Sequence, residues 1–60
     1  MIDYMKRFDE VKAQSSTPEK QADGYNKVIK DLMRLDGISR KQAIQLYAHW
    51  GKTREANQHE

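Results

Sequence analysis

Residues 36–47 read DGISRKQAIQLY, and the parsing of this stretch decides the fold. Gly37 is the residue best able to adopt a left-handed backbone just past a helix end. Ser39 and Gln42 stand three apart, the capping-box spacing, in which each side chain satisfies a backbone N–H of a new helix. One helix therefore ends at Gly37 and another starts at Ser39. The corner between them, 36–39, permits only a sharp change of direction.

Working upstream, Tyr25, Val28, Ile29, Leu32, Met33 and Leu35 form a broad apolar face at helical spacing, and Thr17-Pro18 supplies its start. Threonine is a good N-cap, proline suits the first turn, and Glu19 favours the positive end of the helix dipole. Gly24 lies inside this segment and costs about 1 kcal/mol relative to alanine, which implies either a close helix crossing or a separate turn over 18–23. One continuous helix over 18–35 is expected. Before it, Met1, Tyr4, Met5, Phe8 and Val11 recur every three or four residues and predict a helix over 2–13, broken by Gln14, Ser15 and Ser16.

Downstream of the corner, Ala43, Leu46, Tyr47 and Trp50 mark the buried stripe of a helix over 39–50. Gly51 is expected to stop it. The remaining KTREANQHE has almost no apolar periodicity and is expected to be a loose tail. The prediction is an all-α, small three-helix domain: 1–51 as the helical unit, 52–60 as a flexible C-terminal tail. At 60 residues there is room for one small core and no second domain.

Composition narrows the function classes. Hydrophobic residues make up 37% and charged residues 33%, too apolar and aromatic for a disordered polar tail. The chain has no cysteine, which removes disulfides, thiolate metal sites and cysteine nucleophiles and suits a reducing compartment. The opening MIDYMKRFDEVK has no uninterrupted apolar run, so neither a signal peptide nor a membrane span is expected, and a cytoplasmic location follows. The net charge of +2 is uneven: residues 1–24 carry four basic against five acidic residues, and 25–60 carry seven against four. The basic excess sits in the half that contains the corner.

Enzymatic readings find little support. His49 and His59 are ten positions apart, unsuited to a metal pair on one helix turn. Gly51-Lys52-Thr53 imitates the end of a phosphate-binding loop, but Leu46 stands where the earlier glycine belongs and no strand precedes it. Asp9-Glu10 and Asp36 read as solvent-facing charges or cap neighbours, with nothing to desolvate them. No catalytic residue, metal, cofactor or small-molecule substrate is expected.

Ile29 to Ala48 resembles, as a motif, the helix-turn-helix of many bacterial and phage repressors. The turn glycine corresponds to Gly37, the buried turn residue to Ile38, the cap to Ser39, and two core positions of the recognition helix to Ala43 and Leu46. Met33 departs from the pattern, which has a small residue four positions before the glycine, and Ile44 points outward where the pattern has a reading face. The resemblance implies a DNA-binding regulator. Arg40 would donate to a guanine edge, Gln45 would pair with adenine, Ile44 or Ala48 would meet a thymine methyl, Lys41 would share the outward face, and Lys27, Lys30 and Arg34 would neutralise phosphates. The same letters are also what any solvated amphipathic helix shows.

The alternative is a helical protein-protein interaction module, such as an inhibitor, adaptor or accessory factor of a compact phage or plasmid genome. Its warrant is a large aromatic and methionine content for three short helices, with Tyr47, Trp50, Tyr4 and Met5 as interface anchors. A homo-oligomer, most simply a dimer, serves both readings.

Overall fold

In the computed structural model, which describes residues 2–58, three helices follow in order: α1 (Tyr4–Gln14), α2 (Pro18–Leu35) and α3 (Arg40–Gln58). Met1, which the first apolar stripe includes, and His59 lie outside the described residues, as does Glu60.

Helix α1 begins at Tyr4 rather than at residue 2 because Asp3 acts as its N-cap, its side chain accepting from Lys6 N–H at 3.2 Å. Ile2 is left outside the helix, and its N–H donates to the Asp36 carboxylate at 3.2 and 3.3 Å. At the other end, Ser15 N–H caps the Val11 carbonyl. Helix α2 starts as its sequence predicts: Thr17 Oγ1 accepts from Lys20 N–H at 3.2 Å and Pro18 opens the first turn.

Helices α1 and α2 run antiparallel, pinned by Ile2 to Asp36, by an Arg7–Asp31 ion pair at 2.9 Å, and by Val11 against Gly24. The last contact explains the mid-helix glycine. A Cβ at position 24 would stand 2.6 Å from Val11 Cγ1, well inside van der Waals contact, so the close crossing needs hydrogen there. Helix α2 accordingly runs unbroken through Gly24.

At the corner Gly37 has φ +68°, the left-handed region that favours glycine. Ser39 N–H donates to Gln42 Oε1 and Gln42 N–H to Ser39 Oγ, both at 3.1 Å, completing the reciprocal cap. Ile38 folds inward between them and packs on the core.

Helix α3 does not stop at Gly51. It continues to Gln58, which corrects both the expected boundary at 50 and the start of a loose tail at 52. The physical reason lies on either side of the glycine. Trp50 Nε1–H donates to Asp9 Oδ1 at 2.8 Å, Arg54 Nε–H donates to the same oxygen at 2.8 Å, and Arg54 Nη2 engages Asp9 Oδ2. These contacts fasten the second half of α3 to α1 and outweigh a helix-interior cost of about 1 kcal/mol for Gly51. Thr53 adds a hydrogen bond to the His49 carbonyl at 2.9 Å.

The core is formed by Phe8, Val28, Ile29, Leu32, Ala43 and Trp50. Phe8 is 0% exposed, and the rings of Tyr4, Tyr25, Tyr47 and Trp50 surround it at centroid distances of 5.3–6.4 Å. The chain has three tyrosines, one tryptophan and one phenylalanine, so every aromatic side chain belongs to this one cluster. Burial pushes the Tyr25 hydroxyl pKa upward, with the neighbouring Tyr47 adding to the effect. Among the described residues no helix is long and apolar enough to cross a membrane.

Candidate nucleic-acid interface

The wall opposite the core is built from the outer faces of α2 and α3. On α2 the helical repeat places Asp23, Asn26, Lys27 and Lys30 on the side away from Val28, Ile29 and Leu32. The capped start of α3 brings Arg40, its first residue, beside that row. Together Asp23, Asn26, Lys27, Lys30 and Arg40 line one open groove of about 470 Å³ between the two helices. Residues separated by the whole corner are thus joined in a single polar surface.

Ion pairing among the described residues involves arginines and no lysine, and it sets Arg40 apart from the other three. Arg7 and Arg34 both bind Asp31, at 2.9 and 3.4 Å, and Arg54 binds Asp9. Of the four arginines, Arg40 alone has no carboxylate partner among the described residues, and neither groove lysine has one. The two engaged carboxylates are affected accordingly. The hydrogen bond from Arg7 holds the Asp31 carboxyl below the usual carboxylate range, and Arg54, followed by the Trp50 N–H, does the same to Asp9. Asp9 is therefore the joint between α1 and α3 and not the free surface charge its sequence context suggests.

The other residues expected at a nucleic-acid surface fall into two groups. Lys41, Ile44 and Gln45 are exposed on the outward side of α3, with Ile44 44% exposed although it is a large aliphatic residue. Arg34 is also exposed, but its guanidinium points at Asp31, the carboxylate shared with α1, and it does not line the groove. The resemblance to a helix-turn-helix extends to local roles: Ile38 and Leu46 are half-buried against the core, Ala43 is fully buried, and Met33, the departure from the pattern, packs there too.

No protein-family model matches the chain. Neither a curated protein nor a solved structure matches it.

The four residues expected as protein-interface anchors belong to the core or border it, and Tyr4 also lines an open apolar groove. Trp50 is 5% exposed, and Tyr4, Met5 and Tyr47 are half-buried against the same core. His49 is exposed, and no cluster of three metal-binding side chains occurs among the described residues. Two members of the groove, Asp23 and Asn26, escaped the sequence reading. The signal that finds them is the three-and-four spacing from Lys27 and Lys30, once the buried face of α2 is known.

Proposed function

We propose that the protein is a small DNA-binding regulator that presents α3 to duplex DNA, with the α2 edge of the groove as its support. The observation that carries this reading is the convergence of Lys27, Lys30 and Arg40, unpaired and from two helices, beside the exposed Lys41, Ile44 and Gln45. A surface of this kind suits a polyanion whose phosphates sit on cations while an apolar and amide-bearing helix face meets base edges. The protein acts by binding, in one compartment with its target, and has no reaction of its own.

A second reading has one observation in its favour. An apolar groove of about 440 Å³, lined by Ile2, Tyr4, Ile38 and Leu46 with Asp36 at its edge, lies at the corner end of the bundle, and Leu35 nearby in sequence is 63% exposed. That surface suits a protein partner or a second copy of the chain.

A mobility-shift titration with a mixed-sequence duplex at two salt concentrations tests the first reading. The expected result is a shift whose midpoint moves to higher protein concentration as salt rises. Absence of any salt-dependent shift removes DNA as the ligand and leaves the apolar groove as the functional surface.

A further inference from the structure

Among the described residues, the groove between α2 and α3 brings the one arginine without a carboxylate partner together with two lysines that also have none. We infer that Lys27, Lys30 and Arg40 form one phosphodiester seat, so that Arg40 holds the DNA backbone and does not read a base. The inference rests on the DNA-binding reading and assigns the division of labour within it.

The geometry separates Arg40 from its sequence neighbours. Arg40 lines the groove together with α2 residues, whereas Lys41, Ile44 and Gln45 do not line it. At about 100° per residue, positions 41 and 45 lie about 100° and 140° round from position 40, while position 44 stands about 40° from it, one turn further along α3. A guanidinium facing α2 meets the same phosphate as Lys27 and Lys30. A fork of N–H donors matches phosphate geometry with two parallel hydrogen bonds, and the two lysines contribute charge without fixed direction. Base contact is left to Lys41, Ile44 and Gln45.

Asp23 gives the seat a second, opposite feature. It lines the same groove as the three cations yet forms no ion pair with any of them. A carboxylate beside a phosphate site repels the ligand, so Asp23 weakens binding evenly over all sequences and keeps non-specific affinity low.

Fluorescence anisotropy with equal-length duplexes that are GC-rich, AT-rich or mixed, each at several salt concentrations, tests the assignment. Arg40→Gln, Lys30→Gln and Lys27→Gln are expected to weaken binding by the same factor on every duplex. Each is expected to lower the slope of log K against log salt by about 0.9. Asp23→Asn is expected to tighten binding on every duplex. All four sites are exposed, so circular dichroism melts are expected to match the wild type. If Arg40→Gln reorders the duplexes while the slope stays unchanged, Arg40 reads a base and the seat is refuted even though DNA binding stands. If a variant combining Lys27→Gln, Lys30→Gln and Arg40→Gln keeps the wild-type slope, the phosphates lie elsewhere on the protein. If the wild type binds no duplex, the DNA reading fails and the seat fails with it.

Discussion

Replacing Gly24 with alanine sets two effects of known size against each other. In an isolated helix the change is favourable by about 1 kcal/mol, because glycine is the more costly residue in a helix interior. In this fold the new methyl would stand 2.6 Å from Val11 Cγ1 and 3.2 Å from Cγ2. Carbon atoms in contact settle at about 3.5–4.0 Å, so the overlap approaches 1 Å. The valine methyls sit one bond from their own Cβ with a stiff χ1, and α1 must move to relieve the overlap. Overpacking of that kind costs about 1–3 kcal/mol. The net expectation is a loss of about 0–2 kcal/mol, and each kcal/mol lowers Tm by about 4–8 °C in a domain of this size. In a Val11→Ala background the obstructing methyls are gone, and Gly24→Ala is expected to stabilise. Urea or thermal melts of the four proteins, followed by far-UV circular dichroism, close the cycle and give a coupling energy of about 1–3 kcal/mol. Gly24→Ala stabilising both backgrounds equally would refute the close crossing of α1 and α2.

Three other perturbations report on the corner, the α1–α3 joint and the core. Gly37→Ala forces a Cβ into a left-handed backbone with open space around it, so only strain acts: a loss of about 1–2 kcal/mol in urea melts, partly recovered by Gly37→Asn. Asp9 and Asp31 both have folded-state pKa values held below the unfolded value, so the stability they contribute is complete above about pH 5 and is lost as pH falls through about 4 and below. Wild-type Tm is expected to fall across that range, and Asp9→Asn is expected to start lower at pH 7, fall less steeply on acidification, and shift Trp50 emission to the red. Phe8→Ala removes the ring at the centre of the aromatic cluster and costs about 3–5 kcal/mol, comparable to the whole stability of so small a core. Its amide NMR spectrum is expected to collapse to the dispersion of an unfolded chain at 25 °C.

Local signals were legible where one residue type performs one backbone task. Thr17-Pro18, Gly37 and the Ser39–Gln42 pair each lie where the sequence puts them, because caps and turns depend on neighbours within three or four positions. Asp3 followed the same rule and was overlooked: it caps α1 across the same three-residue spacing. Gly51 misled because a glycine ends a helix only when nothing beyond it is fastened, and the fastening residue, Asp9, is 45 positions from Arg54. The aromatic cluster has the same origin in distant residues: the side chains of Tyr4, Tyr25, Tyr47 and Trp50 surround Phe8 because three helices bring them to one place. Charge counts likewise show a basic second half without showing which cations are taken. Arg54 is held by Asp9 across a tertiary contact and Arg34 by Asp31 at i, i+3 on its own helix, while Arg40 and the lysines have no carboxylate partner among the described residues.

The α2–α3 groove and the outward side of α3 are the proposed functional surface. An amide and side-chain NMR titration of the isotope-labelled protein with a short mixed duplex, at low and moderate salt, tests it residue by residue. Shifts are expected to concentrate at Asn26, Lys27, Lys30, Arg40, Lys41, Ile44 and Gln45 and to diminish as salt rises. Shifts confined to Ile2, Tyr4, Ile38 and Leu46, or none at any residue, would contradict this assignment.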